Sequence, residues 1–202
     1  EDKYYQEENE VSKIIENKNL EDDQNLREVA FEIIVSIIEA HPKVITDDKE
    51  KLSGLINSIY KYAIETVNDM GLGWNLGNTF DCFGTWKEIK TPDDQITMWG
   101  NVVPTEALVT TIKKYGFKTV RFPVTWMSFM DESGKVKAEW MARVKEVVDW
   151  IVKAGLYCIL NVHHDGVSGN WLAQGAHVKA RYVTLWTQIA TEFKDYDDHL
   201  RS

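Results

Sequence analysis

The sequence predicts an α/β fold with parallel strands, and three consecutive segments support that prediction. Residues 119–123 and 157–162 are short apolar runs with the length and composition of buried strands. Between them, the apolar residues of 138–154 recur at helical spacing. A strand, a helix and a strand in this order are the unit of a parallel sheet. In barrels built from such units, polar residues that follow the strands form the active site.

The first third of the chain has a separate, purely helical pattern. Apolar residues recur at helical spacing in 26–38 and again in 47–67, and Pro42 separates the two segments. Most of the acidic excess of the chain also falls in this part. We therefore predict two domains. One is an acidic helix hairpin at 1–62, interpreted as a structural spacer or cap, and the other is an α/β domain at 63–202.

The predicted α/β domain begins with a glycine-rich strand and turn at 71–80, which a long loop follows at 81–103. Thr105 is suited to cap the next helix, and Gly116 is suited to end it. After the two central strands, a last amphipathic helix is expected at 177–193. A closed eight-stranded barrel needs about 250 residues. The length therefore predicts only part of a barrel, namely strands one to three with their helices.

Composition and charge argue against several classes of partner. The net charge is −9 and no basic cluster is present, which argues against nucleic acid and anionic membranes. No apolar run approaches the roughly 20 residues of a membrane span. The chain begins with Glu1 and Asp2 and shows no signal peptide itself, which leaves a cleaved one open. Cys82 and Cys158 lack the spacing of metal ligands, and we expect neither a metal nor another cofactor.

Polar residues cluster where the two central strands end. Arg121 interrupts an apolar strand, where an unpaired arginine is rare, so it is either half of a structural ion pair or a site residue. His163, His164 and Asp165 follow the next strand. Alternation predicts that His163 and Asp165 share one face and that His164 lies on the other. Two adjacent histidines at a strand end favour a functional role over a structural one.

The chain is rich in tryptophan, and several of these residues fall in loops or near strand ends. Such rings suit stacking on the apolar faces of pyranose sugars, while ordinary loop packing is the alternative for each of them. The tryptophans in these positions are Trp74, Trp86, Trp99, Trp126 and Trp171.

Four motifs make a more specific case. They are MGLGWNLGNTFD at 70–81, WGN at 99–101, GFKTVRFPVTW at 116–126 and NVHHD at 161–165. In this order and spacing they resemble strands one to three in the catalytic barrel of glycoside hydrolase family 5, the cellulase family. The resemblance covers residues 63–200 and extends only to the N-terminal half of that barrel.

The resemblance implies a partial (β/α)8 TIM barrel preceded by the helical N-terminal segment. It also implies a secreted, retaining endo-β-1,4-glucanase whose substrate is a β-glucan such as cellulose or xyloglucan. By the same resemblance, Arg121 helps to hold the nucleophile carboxylate and His163 lies beside the acid/base. The residues expected to bind substrate are Asn78, Trp99, Trp126, His164 and Trp171.

One feature departs from the family pattern. The family takes its acid/base from an Asn-Glu-Pro motif after strand four and its nucleophile from strand seven, and this chain contains no Asn-Glu-Pro. Glutamates such as Glu139, Glu146 and Glu192 fall in predicted helices. Because retaining hydrolysis needs two carboxyl groups about 5 Å apart, we expect this chain to be inactive alone.

Two alternatives follow from the missing motif. The first is a non-catalytic glycan-binding or assembly half-barrel that pairs with a complementary C-terminal barrel fragment. The second is a structural module whose acidic helix hairpin recruits a partner.

Overall fold

The computed structural model describes residues 49–165, 176–196 and 200–201, and the structural statements below concern these residues. The chain divides into two compact units, residues 1–69 and 70–202. No helix in the described part of the chain is long and apolar enough to cross a membrane.

The described part of the first unit is a single helix, α1, which spans Lys49–Met70. It confirms the helix predicted at 47–67 and continues to the end of the unit. The predicted domain boundary after residue 62 therefore falls inside a continuous helix. The other helix predicted for this segment, 26–38, lies outside the described residues.

The second unit alternates strands and helices, as the sequence predicts. Its elements are β1 (Gly73–Asn75), α2 (Pro92–Ile96), α3 (Glu106–Lys114), β2 (Thr119–Val124), α4 (Ala138–Lys153), β3 (Tyr157–Val162), α5 (Ala176–Phe193) and β4 (Leu200–Arg201). The central strand–helix–strand unit agrees with its predicted bounds to within one residue at each end.

The four strands form one parallel sheet in the order β1-β2-β3-β4. The three expected parallel strands are all present, and a fourth, β4, adds to them by pairing with β3 through Cys158↔Leu200 and Ile159↔Arg201. A strand of two residues carries no alternation that a sequence pattern could reveal. The place of Leu200 and Arg201 in the sheet follows from their pairing with the backbone of β3.

Every residue of β2 is buried except Arg121. Val120, Phe122 and Val124 are fully buried, whereas Arg121 is only half-buried. The apolar face of α4 contributes to the same core, and its buried residues are Trp140, Val144, Val147, Val148 and Ile151. The core thus occupies the helix side of the sheet, which leaves Arg121 on the opposite face with polar neighbours.

Helix α2 lies within the segment that the sequence analysis treats as a loop, 81–103. A capping box begins it: the Thr91 side chain accepts from the Asp94 amide, and the Asp94 carboxylate accepts from the Thr91 amide. Pro92 occupies the first turn, where its missing N–H has no cost. These bonds stabilise a five-residue helix that buries Gln95 beneath the carboxyl ends of the strands.

Candidate active site

The centre of the candidate site is Arg121, which is held between two neighbouring strands. Its Nη1 donates to Oδ1 of Asn75, the last residue of β1, at 2.7 Å. Its Nη2 lies 3.3 Å from Nδ1 of His163, directly after β3. The parallel register places Asn75 beside Arg121 and therefore makes this arrangement possible. The structure thus brings together Arg121 and His163, as the sequence predicts, and adds Asn75.

The surroundings of His163 determine where its proton lies. Two donors approach Nδ1, since Asn161 Nδ2 lies 3.4 Å away in addition to the Arg121 guanidinium. Nδ1 must therefore be the acceptor, and Nε2 carries the proton of the neutral ring. Burial lowers the pKa of His163, the neighbouring His164 and Arg121 lower it further, and Asp81 opposes them. His163 is thus a neutral ring that can donate from Nε2.

Next to this pair, three rings form what we call the aromatic cluster: Phe83, Trp99 and His164. The His164 ring lies 4.8 Å from Phe83 and 5.8 Å from Trp99, and Phe83 lies 5.7 Å from Trp99. The Trp99 indole N–H also donates to the Phe83 carbonyl at 3.2 Å. All three rings are partly accessible. His164 therefore links the aromatic cluster to His163, whose ring centroid is 4.2 Å away.

Phe83 is a site residue that the sequence analysis missed. It follows the first matching motif by two positions and sits in a segment that has no periodic pattern. Its proximity to Trp99 depends on how the loop after β1 folds back, so only the position of an aromatic residue next to the motif could have pointed to it. Asn78 lies on the same loop, is exposed, and adopts a positive φ of 56°, which asparagine tolerates. Asn101 holds this turn by donating to the Asn78 carbonyl at 3.0 Å.

The structure corrects the prediction for Trp126. Its side chain is 0% exposed and belongs to the core, so no sugar can stack on it in this chain. The indole packs in the core, and the backbone turn that carries it is held by Asp165, whose Oδ1 accepts from the Trp126 and Met127 amides at 2.7 Å each. Trp171, also predicted to bind substrate, lies outside the described residues.

Asp165 has a structural role, and it does not share a face with His163 as the alternation predicted. It is fully buried, and burial raises its pKa to about 7 against the opposing effects of backbone hydrogen bonds and of the positive charge of Arg181. It joins the turn after β2 to the end of β3. The predicted alternation fails here because the regular strand ends at Val162, before the aspartate.

One group of residues in the site has the composition of a metal centre. Asp81, His163 and His164 offer ligand atoms that lie within 4.8 Å of one another. A metal on Nε2 of His163 would leave the ring proton on Nδ1, facing the Arg121 and Asn161 donors. The arrangement therefore suits hydrogen bonding better than metal coordination, and the expectation of no metal stays a prediction.

Comparison with known proteins identifies the family. The family model described as "Cellulase (glycosyl hydrolase family 5)" matches residues 76–201. The chain belongs to glycosyl hydrolase family 5. The match begins at the end of β1 and runs through β4, so it contains Arg121, His163 and the aromatic cluster.

Individual family 5 relatives agree with this assignment. Endoglucanase A of Clostridium longisporum is 49% identical over 143 residues, which is 68% of this chain and 27% of that protein. A solved broad-specificity endoglucanase from an uncultured bovine rumen ciliate is 87% identical with a TM-score of 0.65, covering 68% of this chain and 38% of that chain. A Prevotella bryantii family 5 enzyme, solved with a xyloglucan tetradecasaccharide, is 43% identical with a TM-score of 0.62, covering 67% and 41% respectively.

The chain thus spans less than half the length of each of these relatives. Its parallel sheet with outer helices corresponds to part of the family 5 TIM barrel, and the predicted partial (β/α)8 barrel is confirmed.

Proposed function

We propose that this chain forms the first part of the catalytic barrel of a retaining endo-β-1,4-glucanase, acting on cellulose or xyloglucan. The observation that carries the proposal is the Arg121–His163 pair, which is held at the carboxyl ends of parallel strands. Active sites of such barrels form at that end. The names of its relatives, which include endoglucanases and a xyloglucan-bound enzyme, support the substrate class.

Each group in the site has a role that follows from its chemistry. The remaining N–H groups of the Arg121 guanidinium are suited to hold a nucleophile carboxylate, because arginine can bind a carboxylate in bidentate fashion. Neutral His163 donates from Nε2 to an acid/base carboxylate or a sugar hydroxyl. The aromatic cluster supplies apolar ring faces for a glucosyl unit, and the exposed Asn78 supplies an amide for its hydroxyl groups.

The two catalytic carboxylates are proposed to come from a complementary C-terminal part of the barrel. Within the described residues, Asp81 and Asp165 are buried carboxyl groups near the strand ends; Asp81 accepts from the Thr79 amide, and Asp165 accepts from two amides. Glu139, Glu146 and Glu192 lie on the helices outside the sheet. The carboxyl groups that the described part of the chain places near the strand ends are therefore bonded to backbone amides rather than free to act as the acid/base and nucleophile of retaining hydrolysis. We infer that this chain alone does not hydrolyse glucan.

A second function, non-catalytic glycan binding, is favoured by one observation. The partly accessible aromatic cluster is assembled from residues of this chain alone and needs no carboxylate pair to bind a sugar. The two functions differ in a simple assay: a binding module retains cellotetraose without cleaving it under any condition, whereas a barrel half gains hydrolysis when its complement is added.

We also propose a location outside the cell, because polymeric glucan does not cross membranes; detection in the culture fluid tests this.

The proposed function is tested by titrating the purified chain with cellotetraose and by following reducing ends on xyloglucan, with and without a C-terminal barrel fragment. Hydrolysis that appears only with the fragment, and that Arg121→Ala abolishes, supports the proposal. A mixture that forms a stable complex but never hydrolyses glucan would contradict it.

A further inference from the structure

A buried hydroxyl lies at the junction of three chain segments that form the site. Thr125, directly after β2, is 0% exposed. Its Oγ1 donates to the Asp81 carbonyl at 2.9 Å and accepts from the His164 amide at 3.2 Å. One side chain thus connects the loop after β1 with the segment that follows β3.

Further bonds hold Thr125 itself in place. Its amide donates to the Phe80 carbonyl at 3.0 Å. The buried Gln95 amide donates from Nε2 to the carbonyls of both Phe80 and Thr125, at 2.9 Å each. We call Gln95, Thr125 and the backbone groups of Phe80, Asp81 and His164 the Thr125 brace. Because Phe80, Asp81, Gln95 and Thr125 are buried, a broken bond between them cannot be replaced by water without rearrangement.

The brace adjoins the aromatic cluster on both sides. Phe83 lies two positions after Asp81, and its ring packs at 4.8 Å against the ring of His164. The Thr125 hydroxyl bonds to the backbone of Asp81 and of His164 and thereby bridges the two segments that carry these rings. A shift of either segment would change the separation of the two rings and the face that they present.

We propose that Thr125 is a positioning residue: its hydroxyl sets the relative placement of Phe83 and His164 and so shapes the glycan-binding surface. The first half of this statement concerns only the geometry of the chain, whereas the second half rests on the proposed function. A merely structural threonine would stabilise the fold without determining where His164 lies.

The chain offers a matched control at the other end of the same strand. Thr119 is also buried, and its hydroxyl donates to the Met70 carbonyl at 2.6 Å, far from the site. Thr125→Val and Thr119→Val each replace a hydroxyl by a methyl group of similar shape. Thr125→Ser restores the hydroxyl and provides the rescue.

The first half of the proposal, that Thr125 sets the placement of Phe83 and His164, is tested by NMR on the unliganded chain. We expect Thr125→Val to move the ring-current-shifted imidazole signals of His164, while Thr125→Ser and Thr119→Val leave them at their wild-type positions. In the wild type itself, the His164 amide should be protected from hydrogen exchange and should show a contact to the Thr125 hydroxyl proton. Wild-type signals in folded Thr125→Val, or a rapidly exchanging His164 amide in the wild type, would overturn the proposal. The second measurement needs no variant and decides the matter even if Thr125→Val does not fold.

The glycan half is tested by the dissociation constant for cellotetraose. A misplacement of about 1 Å in a site can cost up to 100-fold, and we expect Thr125→Val to weaken binding about tenfold with Thr119→Val unchanged. If Thr125→Val moves the His164 signals but leaves the affinity for cellotetraose unchanged, Thr125 positions His164 without shaping a glycan-binding surface. That result would overturn the second half of the proposal and leave the first half intact. Failure of the wild-type chain to bind would count against the proposed function, and the NMR result would still decide the role of Thr125.

Discussion

Arg121 and His163 face each other across the two central strands, with Nη2 of the arginine 3.3 Å from Nδ1 of the histidine. A guanidinium can only donate, so this contact requires an unprotonated Nδ1 and a neutral His163. The pair thereby defines both the tautomer of the histidine and the direction in which its remaining N–H points. The candidate site is organised around this contact.

Replacing Arg121 by alanine should raise the pKa of His163. Burial lowers this pKa most, but the positive charge of Arg121 contributes in the same direction, and the substitution removes that charge together with a donor to Nδ1. The titration of the ring nitrogens by ¹⁵N NMR measures the change. Arg143→Ala, a substitution on α4, serves as the control, and an unchanged His163 pKa in Arg121→Ala would show that the contact does not form in solution.

The buried carboxyl of Asp165 should make stability depend on pH in a defined direction. Its folded-state pKa is raised to about 7, above the unfolded value of about 3.9. The folded state therefore binds more protons between these values, and the free energy of unfolding falls as pH rises from about 4 to 7.

Asp165→Asn isolates this effect. The asparagine keeps an acceptor for the Trp126 and Met127 amides but does not titrate, so the variant should lack this part of the pH dependence. Urea midpoints at several pH values test the comparison. His163 titrates in the opposite sense, because its lowered pKa makes stability rise with pH, and its contribution is common to both proteins. Identical pH profiles of wild type and Asp165→Asn would contradict the assignment.

Trp99→Ala should weaken glycan binding by about tenfold, equivalent to about 1.4 kcal/mol, because it removes a ring of the aromatic cluster. Trp74→Ala provides the control: Trp74 is also partly exposed, but its ring contacts Phe117 before β2 and not the strand ends. Calorimetric titration with cellotetraose measures both. Equal losses in the two variants would show that the aromatic cluster is not the binding surface.

Gly134→Ala should destabilise the fold more than Gly100→Ala. Both glycines have φ near +90°, so alanine strains the backbone equally in each, by about 1–2 kcal/mol. A Cβ at Gly134 would also lie 2.8 Å from the Arg181 carbonyl of α5, whereas a Cβ at Gly100 would meet nothing within 4 Å. The difference between the two unfolding midpoints therefore measures how closely the loop that contains Gly134 packs on α5. Equal midpoints would contradict that packing.

The predictable parts of the fold are those that depend on local spacing. Strands β2 and β3 and helix α4 follow from runs of apolar residues, and α3 follows from Thr105 as its cap, which accepts from the Leu108 amide as expected. Helix α2 is too short to show helical periodicity, and its local signs were the capping box of Thr91 and Asp94 and the proline at its first turn. The pairing of β4 depends on a neighbouring strand rather than on its own residues.

The candidate site was also predictable only in part, because some of its contacts depend on elements that are distant in the sequence. An arginine within an apolar strand, Arg121, and a histidine directly after one, His163, are unusual, and this anomaly is visible in a single sequence. Whether a tryptophan faces solvent depends on the elements that surround it, which is why Trp126 was wrongly assigned to substrate. The Thr125 brace joins atoms from four segments, and its residues look ordinary when read in order along the chain.

The central claim is that this chain supplies the binding and positioning groups of a barrel whose carboxylates come from a complementary part. The most direct test compares the rate of xyloglucan hydrolysis by the 202-residue chain, verified intact by mass, with the rate after a C-terminal family 5 barrel fragment is added. The account predicts no hydrolysis by the chain alone and hydrolysis by the mixture. Hydrolysis by the pure chain would contradict it, because a carboxyl pair would then have to lie within these residues.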